Sequence, residues 1–536
     1  MSALSLHPSR LTLPGAARAL RLELKRDVVP MLLPLLAAVF YFDTLRRADG
    51  LPPVWTLRAS VIGNHMLFEF SAFAGGLAAW AGSREGRRKT LDLVATTPRA
   101  AWMRLSVTLA GTLCWLLLAF LAAVGIVYVK TALQATWGGP PLWPVLVGAA
   151  GVTVVAVIGF TVGVLLPGRF TAPLVAVGTL LLYEAGFHAE LGISPASGTY
   201  AVLSPASQWP MLDAGVYYRV PPDVSIVQVM LMGGIALALL GVLALAAEIR
   251  HLIRAGGLRV ALRALAGLGD DVRLRMTAAI LIGCGIAASG TAIALAGTAQ
   301  PDAAVGWMIP ALHSAASDRP IPVDWDCTSA AAGAGDRPAF QVCVSQAFSF
   351  YLHPVASALT PVAAEIAGLP GAPAGAREIA SAAGRRAVMS GITGTPPVFD
   401  FTADRVGGVF GEFYGPGIGQ TVHAWGQVFQ QAMLDAFLAG SPPHAGGPAN
   451  VLPQFLKEPT PLGASQQAVE NALLAPFGWQ PAIAGQAAGQ WRGPALAGIL
   501  AAARRFGALP ASARHAWLAA HLSALRAGTI TLAQIP

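Results

Sequence analysis

Residues 105–129, LSVTLAGTLCWLLLAFLAAVGIVYV, run for 25 positions without a charged side chain. A helix rising 1.5 Å per residue crosses a ~30 Å hydrocarbon core in about 20 residues, and lipid offers no partner to an unpaired backbone amide, so such a run folds as a transmembrane helix. Six more runs are similar: 27–43, 61–82, 144–166, 171–187, 224–248 and 276–298. The first and fifth are short, and Pro30 and Pro34 interrupt the first. Only 12% of the chain is charged and its mean hydropathy is +0.59, whereas soluble domains carry about 25% charged residues. The expectation is an α-helical membrane protein with seven spans. Arginine dominates the basic residues, and Ala, Gly and Pro are abundant, which points to a GC-rich bacterial genome and hence to a bacterial inner membrane.

Charge sets the expected orientation, because Lys and Arg flanking spans stay in the cytoplasm. With the N-terminus inside, the inner segments collect Arg18, Arg21, Lys25 and Arg26, then Arg84, Arg87, Arg88, Lys89, Arg99 and Arg104, then Arg169, then six arginines between Arg250 and Arg275. The outer loops of the first six spans hold Arg46, Arg47, Arg58, Lys130 and Arg219. The net charge of +8 therefore belongs to the membrane flanks, and no nucleic-acid partner is implied. Residues 1–27 lack a signal-peptide core; ARALRLELKRD at 17–27 reads as an amphipathic helix on the membrane surface. A six-span region over 28–250, a basic linker at 251–275 and a seventh span at 276–298 follow. An odd span count then puts residues 299–536 outside the cytoplasm.

That tail is long enough to bury its own core. Its opening, SDRPIPVDWDCTSAAAGAGDRPAFQVCVS, reads as irregular or β-rich, and helical periodicity follows in four segments beginning near 348, 419, 465 and 513. It is expected to be mainly helical with a small strand element. Cys327 and Cys343 lie in this external part, where disulfides persist, and are expected to pair. Cys114 and Cys284 fall within spans and are expected as small core residues.

The loop GSREGRRKTLDLVATTPRAAWMR, 82–104, joins the second and third runs. A basic loop obeying the orientation rule accounts for its arginines. It does not account for the order Glu85, Thr90-Leu91-Asp92, Leu93-Val94, Thr97-Pro98-Arg99, in which a short apolar face follows a charged turn and Pro98 stops the helix. With the surface helix before six runs, residues 14–250 resemble the permease subunits of type-2 ABC (ATP-binding cassette) exporters. In that family the segment between spans two and three reads Glu, polar residues, Gly-Thr-Leu-Glu, a hydrophobic pair and Thr-x-Pro; here Lys89 stands in place of the glycine. The resemblance implies a six-span bundle and a coupling segment at 83–99, with Glu85, Arg88, Thr90, Leu91, Asp92, Pro98 and Arg99 docking on a separate ATPase. It also implies pairing with a second permease as a homodimer or heterodimer. The seventh span and the C-terminal domain lie outside it.

No phosphate-binding loop is present; GSREGRRKT comes nearest, with Arg88 where the second glycine belongs. No zinc-helix motif occurs, and His515 and His521 sit six apart, on different faces of a helix. Neither an enzyme activity nor a cofactor is expected of the chain itself. Within the spans Glu69 and Glu184 are the conspicuous acids. A carboxylate in lipid is costly and faces a bundle interior, a cavity or a partner, so both are candidates for a substrate route. The simpler account is a structural hydrogen bond for Glu69 and interfacial water for Glu184. A function of a second class also fits: a membrane-anchored receptor or interaction protein presenting the C-terminal domain.

Overall fold

The computed structural model describes residues 13–51, 53–89, 101–190, 198–204, 219, 221–246, 272–302, 306–319, 321–322, 324–330, 340–379, 390–401, 418–440, 462–477 and 494–536. The chain opens with α1 (Leu13–Arg26), then α2 (Val29–Val39). Asp27 Oδ1 accepts the Val29 amide at 3.0 Å, and Pro30 sits in the first turn, where its missing N–H costs nothing. Pro34 lies inside α2, which passes into a π-helical turn at Phe40–Leu45 and then α3 (Arg46–Gly50). The first apolar run thus yields a shorter helix than its length suggests. The second is also interrupted: α4 (Trp55–Val61) leads through a π-helical turn, Ile62–Met66, into α5 (Leu67–Gly82).

After α6 (Arg84–Arg87) come α7 (Ala101–Ala132), α8 (Trp143–Leu165), α9 (Thr171–Glu190), the short α10 (Gly198–Leu203), α11 (Asp223–Ala244) and α12 (Val272–Ala296). Four of these are long and apolar enough to cross a membrane: Trp102–Ala132, Trp143–Leu165, Asp223–Ala244 and Leu274–Ala296. Val29–Phe42 and Thr171–Ala185 are shorter apolar helices. Large apolar side chains such as Leu118, Val129, Leu174, Leu181, Ile280 and Ile286 are exposed on the helix surfaces, as in a membrane-embedded bundle.

Lipid tails are as apolar as leucine, so helices in a bilayer associate through close packing rather than burial of apolar area. Small residues supply that packing here. Added methyls at Gly159 and Gly163 would overlap the carbonyl oxygens of Gly75 and Ala79, so α5 and α8 touch backbone to backbone and run in the same direction. A methyl at Gly234 would lie 2.7 Å from Gly285 O, and one at Gly241 2.7 Å from Ala278 O. α11 and α12 are therefore a tight antiparallel pair, and α12 packs as part of the bundle. Cys114 and Cys284, expected as core residues, are exposed on their helices instead; on α12 the seam with α11 turns another face inward.

The C-terminal region begins with a hairpin of β1 (Gln300–Asp302) and β2 (Gly306–Met308). A five-stranded sheet follows, built from β3 (Trp325–Ala330), β4 (Phe340–Ser345), β5 (Gly375–Glu378), β6 (Ser390–Thr393) and β7 (Val398–Phe401) in the order β3-β4-β5-β7-β6. β4, β5 and β7 are parallel; β3 and β6 run antiparallel to their neighbours at the edges. The parallel step from β4 to β5 requires a crossover, supplied by α13 (Leu352–Ile366). Phe340, Val342, Val344, Phe399 and Phe401 pack with α13 and α14 (Ile418–Ala439) in one core. α15 (Ala464–Leu474), α16 (Pro494–Gly507) and α17 (Ala511–Arg526) complete it. Cys327 and Cys343 face each other across β3 and β4 and form the expected disulfide. The sheet is larger than the strand element expected: β5, β6 and β7 are four residues each, too short to announce a period of two.

Candidate functional site

The described contacts gather at two ends of the helix bundle. At one end α5 stops at Gly82, where an added methyl would overlap Phe160 O, and Ser83 Oγ donates to Trp80 O at 3.1 Å. α6 then turns across the bundle end. Gly86 abuts Pro167, Arg84 Nη2 pairs with Glu23 of α1 at 2.9 Å, and Glu85 pairs with Arg104 at the start of α7 at 3.7 Å. Arg87 lies over the Trp80 ring, 3.2 Å from its centroid, and donates to Trp80 O at 3.0 Å. α1 is fixed in turn to α7: Trp115 Nε1 donates to Leu24 O at 3.0 Å, and Thr112 Oγ1 donates to Asp27 Oδ2 at 2.7 Å. The short helix is thus clamped between the surface helix and the base of the next long helix. Arg88 and Lys89, which follow it, are exposed.

Lys89 has φ of +53°, a left-handed conformation that costs an L residue about 1 kcal/mol and that glycine adopts freely. Its amide bonds to Gly86 O at 3.2 Å, closing the helix end. Of the coupling residues named from the sequence, Glu85 and Arg88 are therefore located. Thr90, Leu91, Asp92, Pro98 and Arg99 lie outside the described residues.

At the other end the loops and the C-terminal domain meet. Val54 and Leu57 belong to the same buried core as the sheet, Trp137 packs on it, and Thr136 Oγ1 donates to Gln346 O at 2.6 Å. Arg58, one of the few basic residues of the expected outer loops, is buried here. Its Nε and Nη2 donate to Leu51 O at 3.4 and 3.3 Å, and burial lowers its pKa against the opposing influence of Asp49 and Tyr351. Lys130 pairs with Asp49. Across the bundle Asp223, fully buried in the first turn of α11, takes His313 Nδ1 at 2.8 Å and the Ile309 amide at 3.2 Å on Oδ2. Gln228, one turn further, donates to Val202 O and Ser204 O. Apart from Arg58 and Lys130, counted only as outer-loop charges, none of these residues was singled out from the sequence. The Pro-Pro-Asp preceding the apolar run is a helix-start signal, but nothing in sequence links Asp223 to a histidine 90 positions away.

Glu69 lies half-buried in the first turn of α5, just after the π-helical turn, and Glu184 lies half-buried on α9 next to the buried Tyr183. α5 and α9 pack together. A shallow groove of about 430 Å³ runs along the outer face of α7, lined by Ala122, Gly125, Ile126, Val129, Lys130 and Leu133. In the C-terminal domain His515 bonds to Ala367 O and His521 to Trp517 O, so both histidines are used within the fold. Among the described residues, no three metal-ligating side chains cluster.

A second pair of acids is buried where α14 meets α15. Asp435 and Glu470 hydrogen-bond to each other, and Gln467 Nε2 donates to Glu470 Oε2. Burial raises the pKa of both, Asp435 to about 7, and the charge of Asp435 raises Glu470 further. Compared with protein-family models, curated proteins and solved structures, the chain matches none of them.

Proposed function

We propose that the chain is the membrane-spanning permease subunit of an ATP-driven ABC transporter, an exporter, coupled to a separate ATPase through residues 83–99. The observation that carries this reading is the clamped helix Arg84–Arg87, because it can transmit force. A push on it reaches α1 through Glu23–Arg84, α7 through Glu85–Arg104, and α5 directly along the chain. A loop serving only as a topological charge needs no such attachments. The left-handed Lys89, at the position where the resembled family has glycine, supports the same reading.

In this account α2, the interrupted α4–α5 and α9 complete a six-span unit with the long α7, α8 and α11, α12 is the seventh span, and the protein sits in a bacterial inner membrane paired with a second permease. The segregation of contacts supports the sidedness. α1, α6, Arg104 and Pro167 share one end, whereas Val54, Thr136, Asp223 and the C-terminal domain share the other. The first end is the basic one, so the orientation rule puts it in the cytoplasm and the C-terminal domain outside. ATP-driven closure of the ATPases would tilt α5 and α7 and alter the outer end, on which that domain rests.

The reading of the chain as a membrane-anchored receptor draws on one observation, the sheet-centred core and disulfide of the C-terminal domain. Two measurements separate the readings. A reporter fused after Pro536 should be active only outside the cytoplasm, and co-expression with a candidate ATPase should yield an assembly that turns over ATP. A cytoplasmic signal from the fusion would refute the odd span count, and an ATPase indifferent to this chain would refute the transporter.

A further inference from the structure

α1 sorts its charges by face. Its acidic residue Glu23, and Asp27 just beyond its end, turn toward α6 and α7, where they bind Arg84 and Thr112. Arg18, Arg21, Leu22, Lys25 and Arg26 are exposed, and their spacing of three and four residues places them on one stripe. Among the described residues no carboxylate neutralises the four cations. Leu22, in their midst, is 54% exposed. A stripe that is both cationic and apolar is poorly served by water alone.

Its level in the bundle is fixed. α1 crosses α7 at Gly111 and Trp115. The exposed large apolar side chains of α7 begin just beyond, at Leu118, and continue to Val129, a rise of about 16 Å that lies within a hydrocarbon core. α2 starts three residues after α1 ends and at once exposes Met31 (79%) and then Leu35 (50%). The stripe therefore lies at the height where lipid-facing surface gives way to polar surface, with Leu22 able to enter the acyl boundary and the cations at headgroup level.

We infer that the exposed stripe of α1 is a docking surface for anionic phospholipid headgroups, with the phosphodiester of a lipid such as phosphatidylglycerol as the ligand. Each arginine offers a planar fork of donors matched to phosphate oxygens, and neighbouring charges along the stripe lie within about one Debye length of each other. The transport reading is not required for this: the surface belongs to any function of the bundle.

The test places photoactivatable phosphatidylglycerol and phosphatidylcholine analogues in vesicles containing the full chain and counts crosslinks to residues 13–26 by mass spectrometry. A basic residue at an anionic surface contributes about a fivefold preference, so the wild type should favour phosphatidylglycerol at least ~5-fold. The combined variant Arg18→Gln, Arg21→Gln, Lys25→Gln, Arg26→Gln should bring the ratio near one while crosslinks to 171–185 stay unchanged, which reports an intact bundle. Arg18→Lys, Arg21→Lys, Arg26→Lys should keep most of the preference, and Arg504→Gln on the C-terminal domain should keep all of it. A ratio near one for the wild type, an unchanged ratio in the glutamine variant, or crosslinks in native membranes going to a protein in place of lipid would each overturn the proposal.

Discussion

Replacing Glu470 with glutamine should make the C-terminal domain more stable at alkaline pH and should flatten its response to pH. Glu470 is 1% exposed and Asp435 9%, and each faces the other across the α14–α15 contact. Burial penalises the charged form of both acids, and the charge of Asp435 raises Glu470 further, so the pair holds a proton that each acid would have lost in the unfolded chain. A folded-state pKa above the unfolded value means that the native state binds more protons, and stability falls as pH rises. For Asp435 the window runs from about 4, its ordinary value, to about 7. At ~1.4 kcal/mol per pH unit, complete ionisation of that one group costs about 4 kcal/mol. Glu470, raised well beyond its usual range, extends the loss to higher pH. Glu470→Gln keeps the shape, removes one charge and gives Asp435 an amide donor. The assay is hydrogen exchange of residues 464–474 in the full chain in detergent, from pH 5 to 8.5, with rates corrected for intrinsic pH dependence. Protection in the variant should gain on the wild type as pH rises, by a few kcal/mol across the range. A difference independent of pH would refute the shared proton.

Three further outcomes follow from particular contacts. Gly163→Ala drives a methyl into Ala79 O between α5 and α8, so it should cost about 1–3 kcal/mol, read as a lowered Tm in detergent, whereas Gly178→Ala, with open space around it, should leave Tm unchanged. Arg58→Ala removes two bonds to Leu51 O beside the core shared with the C-terminal domain; limited proteolysis should then cut between bundle and domain several-fold faster, consistent with a loss of about 1–3 kcal/mol. Lys89→Gly relieves a left-handed φ and should leave ATPase coupling intact with up to about 1 kcal/mol of local gain, whereas Lys89→Val should weaken coupling.

The helices were legible because long apolar runs and 3.6-residue periods are properties of consecutive residues. The runs at 105–129, 144–166, 224–248 and 276–298 all reappear as long helices. So was the disulfide, since Cys327 and Cys343 are the only cysteines outside the apolar runs. The π-helical turns at Phe40–Leu45 and Ile62–Met66 leave the hydropathy pattern unchanged and so gave no warning. Arg58 read as a solvated outer charge because sequence records its sign and not the domain that covers it. α16 was passed over although PALAGILAAARRFG carries a helical period, with Ile499, Ala502, Ala503 and Phe506 buried along one face. The Asp223–His313 and Asp435–Glu470 pairs join residues far apart in the chain, and only the folded arrangement brings them together.

The central claim, that residues 83–99 engage an ATPase, is tested most directly by affinity purification of the full chain co-expressed with its candidate ATPase. If the segment is only a charged loop, Glu85→Ala and Asp92→Ala are harmless, because removing an acid strengthens the topological signal. If it is a docking surface, losing one partner of an interfacial charge pair costs about 2–5 kcal/mol and weakens binding by roughly thirtyfold to several thousandfold. Arg104→Ala measures how much of the Glu85 effect comes from their contact within the chain, and Arg504→Ala on the exposed face of α16 serves as the control. The account predicts that the ATPase co-purifies with the wild type and the control and is lost from the Glu85 and Asp92 variants, all of them inserted normally. An ATPase retained equally by both acid variants, or absent from the wild type, would contradict it.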